Sequence, residues 1–534
     1  MKKNDLPNII LFVPDEMRGD CISLNGLQNP IIRTPNIDKL AQDGVAFTKC
    51  FNVNPVCGPS RCCIFTGQYV HSNAHRSLYQ LLKPYEENLF RFLKRKGYEV
   101  IWIGRNDLFE KKTEKKSFTK HFGIFKMLLK KFLPDIIRIN FFKNLFKRKT
   151  IRNLISLLKD KKSLMRKYSF LEFPFVKNFI KKHIKLNPFT MDNKFRKSFY
   201  FGKRTTKQGY DIDSLLIKHT LKYLDSKPKK PFCLYIALNF PHPPYTVEEP
   251  YFSLYDRDKI PDPIPPQSED KPEFMRLMRK RYNLEKLSIS DFKEIKATYY
   301  GMISRVDNQF GQVIEKLKEI GRYENSAIFF FADHGDYTGD YGLTEKWPNA
   351  FQDCLVNIPL IVKLPNIKQK KHINHELIQS IDIFPTIMEI ARIKTPYTHF
   401  GKSIIPLLKG EKQKHREMVF AEGGYNLREP QSFEPPVSSQ TMALMGIYYD
   451  KTNIPQDIPS TVARSVMIRT KNHKLILRAA GKEELYDLRN DPNELQNLFY
   501  NEKYRALKNE LKEKILYWYL NTSDNPHWGK TRNI

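Results

Sequence analysis

Ala327-Ile328-Phe329-Phe330-Phe331-Ala332-Asp333-His334-Gly335-Asp336 is an apolar run that stops at a carboxylate. A continuous apolar run without alternation suits a strand covered on both faces. The pattern recurs along the chain. Residues 8–13 lead to Asp15, residues 99–103 to the polar stretch 104–107, and residues 232–238 to the stretch 239–242. Residues 359–362 form a fifth run. Helical patterns lie between, such as residues 88–96 before Gly97 and residues 299–320 before Gly321. In the second, Ile303, Val306, Phe310, Val313, Ile314 and Leu317 recur at helical spacing, and Gly321 suits a C-cap. This alternation predicts an α/β fold with a large, mainly parallel central sheet flanked by helices. Ligands of such sheets bind beyond the carboxyl ends of the strands, where all these polar residues fall.

The 534 residues are 41% hydrophobic, enough for a large core and more than one domain. An aromatic content of 13% excludes a disordered chain. Lys and Arg number 90 against 58 Asp and Glu, a formal charge of +32. That balance points to an anionic partner or to a lysine-rich solvated surface. The charge is concentrated: residues 111–207 hold 29 Lys and Arg against 5 Asp and Glu, leaving +8 for the rest. There, basic clusters alternate with Phe, Leu and Ile, as in 125–132 and 141–148, with breaks at Pro134, Pro174 and Pro188. The segment reads as a basic, mostly helical insertion of short amphipathic helices. Three uses stay open for it: packing on the core with solvated lysines, a lid or docking surface for substrate, and membrane contact.

Seven cysteines without regular spacing make neither a disulfide framework nor a zinc site. The first apolar run, 9–13, is too short for a signal sequence, and no stretch approaches a membrane span. We expect a cytoplasmic protein, or an extracytoplasmic one if a leader was removed. After about residue 410 the character changes. Residues 463–470, 473–478 and 484–488 are short strand-like pieces, followed by a helix over 503–517. The expected division is a catalytic domain over 1–410, including the insertion, and a C-terminal subdomain over 411–534 with a small antiparallel sheet and a terminal helix.

The strongest local signal is Pro55-Val56-Cys57-Gly58-Pro59-Ser60-Arg61-Cys62-Cys63-Ile64-Phe65-Thr66-Gly67. Pro59 suits a helix's first turn, so a helix is predicted from about Ser60 to Gly67. A nucleophile there faces the positive end of the helix dipole, beside backbone amides that bind oxyanions. Arg61 adds a fixed fork of donors.

Here the sequence resembles the type I, formylglycine-dependent sulfatases of the alkaline phosphatase-like superfamily. Cys57-Gly-Pro59-Ser-Arg61, then Thr66-Gly67, matches the family signature. The opening Pro7-Asn8-Ile9-Ile10 to Asp15, Thr34-Pro35-Asn36-Ile37-Asp38-Lys39-Leu40, and Phe331-Ala-Asp333-His334-Gly335-Asp336 resemble further family segments. So do Tyr341-Gly342, Lys346, Ile358-Pro359-Leu360, and near the end Glu484-Leu485-Tyr486-Asp487-Leu488 with Asp491-Pro492.

The resemblance implies that Cys57 is oxidised to formylglycine by a maturation enzyme and that its hydrated aldehyde attacks sulfur. It implies a cation held by Asp15, Glu16, Cys57, Asp333 and His334. Physically, carboxylates ending two strands and converging at one rim need a counter-cation. Oxygen donors favour Ca²⁺ or Mg²⁺, and the imidazole keeps Mn²⁺ open. His242, in Asn239-Phe240-Pro241-His242, resembles the histidine near the leaving group. Lys346 resembles the lysine that holds the sulfate.

The sequence departs from the family at three places. Glu16 stands where Asp is usual, His334 where many members carry Asn, and Arg105 and Asp107 replace a Lys and a His. Arg105 can clamp an anion but keeps its proton, so His71 and His75 are alternative proton carriers. The expected function is a sulfuric ester hydrolase acting on a sulfated, carbohydrate substrate. A phosphonate or phosphate ester hydrolase of the same superfamily is one alternative. A non-catalytic binder of anionic glycans or membranes is the other. Nucleic acid is not an expected partner.

Overall fold

A computed structural model describes residues 6–110, 114–123, 193–195, 197–204, 211–266, 269–367, 373–429, 433 and 448–523. The strands of the main sheet are β1 (Asn8–Asp15), β2 (Val45–Phe51), β3 (Glu99–Gly104), β4 (Lys120–Gly123), β6 (Phe232–Pro241), β8 (Ser326–Phe331), β9 (Asn357–Lys363), β10 (Ile373–Asn374) and β11 (Ile378–Gln379). Their order is β10-β2-β9-β8-β1-β6-β3-β4, with β11 also on β2. A two-stranded piece pairs β5 (Tyr200–Lys203) with β7 (Tyr245–Val247). A second, antiparallel sheet runs β12 (Met418–Gly423), β13 (Ser465–Thr470), β14 (His473–Arg478) and β15 (Glu484–Asp487) in order.

The parallel expectation holds for the centre of the main sheet. β1 lies between β6 and β8, parallel to both, with Leu11 opposite Tyr235 and Phe329. β3 is parallel to β6, with Gly104 opposite Ala237. Every residue of β1 and β8 is buried, as an uninterrupted apolar run requires. This shared register brings the carboxyl ends of β1, β3, β6 and β8 to one rim. The polar residues after each run therefore meet there.

The fifth run behaves differently. β9 is antiparallel to both β8 and β2. Its chain leaves β8 at the rim, builds the rim over 332–356, and re-enters the sheet from that same end. Without a crossover helix the return strand must run the opposite way.

Five helices matter for the site. α1 (Pro35–Asp43) and α3 (Ile212–Asp225) pack on α4 (Ile289–Glu319). α4 starts earlier than the pattern from residue 299 predicts. Ser288 and Asp291 form a reciprocal capping box that sets its start. Ile303, Val306, Phe310, Val313 and Leu317 are buried as expected, and Gly321 follows the helix at φ +65°. α2 (Cys57–Thr66) begins at Cys57, one turn before the predicted start. α5 (Arg505–Thr522) covers the small sheet. Its Trp518 stacks on Phe420 of β12 with ring centroids 4.7 Å apart and meets Tyr69 edge-on at 4.8 Å.

The ends of the basic segment are β4, on the edge of the main sheet, and β5 on β7. Beside these strands the described parts of the segment hold the short helix Glu114–Ser117 and a single 3-10 turn at Asn193–Phe195, in keeping with a helical insertion. The helices expected over 125–132 and 141–148, and their breaks at Pro134, Pro174 and Pro188, lie outside the described residues. Among the described residues no helix is long and apolar enough to cross a membrane.

Candidate active site

The rim converges on Cys57. It is the first residue of α2, and Ser60 N–H donates to Val56 O at 2.9 Å to open the helix. Gly67 ends the helix in the left-handed region at φ +70°, and a Cβ there would meet Phe384 at 2.7 Å. The Cys57 side chain points to the rim. Its Sγ lies 3.1 Å from His334 Nε2 and 3.5 Å from Asp15 Oδ1. Asp15 ends β1, and Asp333 and His334 follow β8. Ligand atoms of Asp15, Cys57, Asp333 and His334 all lie within 4.8 Å of one another, and all four residues are buried. Ser60 Oγ donates to Asp333 O at 2.7 Å and Asn52 Nδ2 to the same oxygen at 3.2 Å, fixing the turn after β8. Gly335 is obligatory in that turn, since a Cβ would sit 2.0 Å from Cys354 O.

Arg61 corrects a sequence expectation. Its Nη2 donates to Asp15 Oδ2 at 2.9 Å, its Nε to Asp333 Oδ2 at 2.8 Å, and its Nη1 to Tyr235 Oη at 3.1 Å. The fork expected to face a bound ester instead braces the two carboxylates from behind. Burial opposes the charge of Asp333, but Arg61, His334 and the Glu16 amide hold its carboxyl below the usual carboxylate range. Burial raises Asp15, while Arg105, its Nη1 3.1 Å from Asp15 Oδ2, opposes that rise. Arg105 Nε also pairs with Asp107 Oδ2 at 2.5 Å. The Asp that replaces the family's His thus neutralises the Arg beside it.

A second group abuts the first. Lys346 Nζ lies 2.6 Å from Glu16 Oε2, 2.9 Å from Glu345 Oε1 and 3.2 Å from His242 Nε2. His242 Nε2 is 3.4 Å from Glu16 Oε2. Burial disfavours the Lys346 ammonium, but Cys57, Glu16 and Glu345 outweigh it and hold its pKa well above the ordinary lysine value. Burial, then Lys346 and Arg105, hold His242 well below the ordinary histidine value. Burial likewise holds His334 below the ordinary histidine value, against Asp333. The Cys57 thiol is pushed well up by burial and by Asp15, which makes it a poor thiolate nucleophile.

The donor set fits a hard divalent cation. Two buried carboxylates and an imidazole face one point. Glu16 Oε1 is buried with no hydrogen-bond partner among the described residues. Asp15, Asp333 and His334 would hold an ion, with Glu16 Oε1 and residue 57 beside it.

His71 and His75 are not part of the site. His71 Nδ1 pairs with Glu422 Oε1 at 2.7 Å and its Nε2 with Thr522 Oγ1 at 2.8 Å, which anchors α5. His75 Nδ1 meets Gln80 O at 2.6 Å, and its Nε2 lies 3.3 Å from Glu86. Glu345, Tyr235 and Ser60 are working residues that sequence reasoning missed. Ser60 lay inside the motif already singled out. Tyr235 was masked by its apolar run, and Glu345 by Lys346 beside it.

The comparisons with known proteins agree with this geometry. The Sulfatase family profile matches residues 7–393. The chain belongs to the sulfatase family. Residues 430–519 of this sulfatase match the profile described as N-sulphoglucosamine sulphohydrolase, C-terminal. It is 24% identical to the multifunctional alkaline phosphatase superfamily protein PehA of Trinickia caryophylli, over 97% of this chain and 96% of that one. It is 23% identical to an arylsulfatase of Clostridium perfringens, over 96% and 94%. Its fold is similar to the phosphonate monoester hydrolase of Agrobacterium radiobacter, at a TM-score of 0.71 and 20% identity over 98% and 97%. The sulfatase is a hydrolase with a buried cysteine in a cluster able to hold a metal, not a non-catalytic binder.

Proposed function

We propose that this sulfatase removes sulfate from a sulfated carbohydrate, with residue 57 acting as formylglycine beside a divalent cation, Ca²⁺ by preference. The placement of Cys57 Sγ 3.1 Å from His334 and 3.5 Å from Asp15 carries the reading. A thiol would be a poor nucleophile there, whereas a hydrated aldehyde presents two hydroxyls to the same point. A bound cation would lower the pKa of a hydroxyl beside it and offset charge on the ester oxygens.

One hydroxyl of residue 57 attacks sulfur. Arg105 and Lys346 face the sulfuryl oxygens, while Arg61 orients Asp15 and Asp333 and favours their ionised forms. Lys346 holds a proton and His242 beside it is neutral, so the departing alcohol takes its proton from this pair. The second hydroxyl of residue 57 then loses its proton and expels sulfate, restoring the aldehyde. Conversion of Cys57 requires a formylglycine-generating partner.

The match of residues 430–519 to a sugar sulphohydrolase region and the basic stretch 111–207 support a sulfated glycan. The likeness to PehA and to a phosphonate monoester hydrolase favours a second reading, hydrolysis of phosphonate or phosphate esters. Measuring kcat/KM of the matured enzyme on sulfated monosaccharides, 4-nitrophenyl sulfate and 4-nitrophenyl phenylphosphonate separates them. The sulfatase reading expects sulfates to be preferred. A preference for the phosphonate by tenfold or more selects the second reading.

A further inference from the structure

A residue outside the cluster faces it from the C-terminal part of the chain. Tyr448 immediately precedes the helix Tyr449–Asp457. Lys451 of that helix is buried and pairs with Glu345 Oε2, whose other oxygen takes Lys346. This two-step ion chain fixes the helix against the site. The Tyr448 ring lies 6.5 Å from the His242 imidazole, centroid to centroid, and is braced edge-on by Phe199 at 5.1 Å. Its hydroxyl is shielded from solvent and has no hydrogen-bond partner among the described residues. Burial pushes its phenol well above the ordinary value, and the charges acting on it are those of Glu345, Lys346, Glu16 and Arg105, the ring of groups around the site.

Buried hydroxyls are normally paired, and one left open at a site is a donor waiting for a ligand acceptor. We propose that Tyr448 is a substrate-contacting residue whose hydroxyl donates a hydrogen bond to an oxygen of the bound ester on the leaving-group side, next to His242. The inference rests on the hydrolase reading above. Its ring walls the site and its hydroxyl reads an acceptor on the ester, so Tyr448 helps to set which esters are held productively.

The test compares matured wild type, Tyr448→Phe and Tyr448→Ala on 4-nitrophenyl sulfate and 4-nitrophenyl phenylphosphonate, with melting temperature as the second readout. Tyr448→Phe should lose about tenfold in kcat/KM on whichever ester wild type hydrolyses, the loss expected for one hydrogen bond made in the bound complex. Tyr448→Ala should lose more. Because the hydroxyl bonds no described protein group, Tyr448→Phe should melt at or above the wild-type temperature. A Tyr448→Phe enzyme with wild-type kcat/KM overturns the role of Tyr448 and leaves the hydrolase reading standing. A lowered melting temperature in Tyr448→Phe assigns the hydroxyl to a bond within the protein and also overturns it. Wild type inactive on both esters and on the sulfated monosaccharides sinks the hydrolase reading and this proposal together.

Discussion

Arg61 holds the charge balance of the site. Its side chain is wholly buried between Asp15 and Asp333; Asp15 also takes Arg105, whereas Arg61 is the one arginine paired with Asp333 among the described residues. Removing one partner of a buried ion pair leaves an uncompensated charge and costs about 3–5 kcal/mol. Arg61→Ala should therefore lose about that much stability in urea unfolding with chelator present. Saturating Ca²⁺ should return part of the loss, because the ion binds the same carboxylates in the native state. An equal loss with and without Ca²⁺ would place the cation elsewhere. Cys57 carries no comparable structural duty, since among the described residues its Sγ meets polar partners only at His334 and Asp15 and forms no ion pair. Cys57→Ala should abolish ester hydrolysis while melting within a few degrees of wild type. Retained turnover would end the proposed role of residue 57.

At the scale of elements, the small sheet is joined to the main one by buried charge. Lys474 of β14 lies 2.6 Å from both Asp353 Oδ1 and Glu494 Oε1, and Glu494 also accepts from the Asp353 amide at 3.0 Å. Two carboxylates share one ammonium. Arg469 and Lys474 hold Asp353 low against its burial, while burial lifts Glu494 to about 7. A raised carboxyl favours the protonated native state. Its stabilising contribution is complete below the ordinary value near 4.5 and is lost as pH rises through about 7. Relative to Glu494→Gln, wild type should lose up to about 3 kcal/mol between those pH values, read as urea midpoints across pH. Parallel curves for the two proteins would show that Glu494 is ionised throughout.

Elements with one dominant signal were legible in the sequence. The all-apolar runs of β1, β3, β6 and β8 and the stripe on α4 appear where periodicity predicts them. β12 was not legible, because its Met418-Val419-Phe420-Ala421-Glu422-Gly423 is short and lies outside any recognisable turn pattern. The direction of β9 depends on where the chain re-enters the sheet, which no run of residues encodes locally. The site was legible where a motif carried it, as at Cys57 and Asp333. It was not where a side chain arrives from afar, as Tyr448 and Lys451 do, or where a nearby histidine such as His71 serves to anchor a helix.

For the whole molecule, the site is a meeting of four strand ends, one helix start and a helix from the C-terminal part. The excess positive charge lies in 111–207, whose described parts include two strands joined to the rest of the fold: β4 on β3, and β5 on β7. The account as a whole requires that the buried group at 57 be an aldehyde when the enzyme works. The direct measurement is the mass of the tryptic peptide spanning residues 50–61 from active protein made with its maturation enzyme. The account predicts a thiol at Cys50 and an aldehyde at 57, lighter than cysteine by the difference between CH₂SH and CHO. A peptide carrying intact thiols at both positions, from protein that still hydrolyses its ester at full rate, would contradict it.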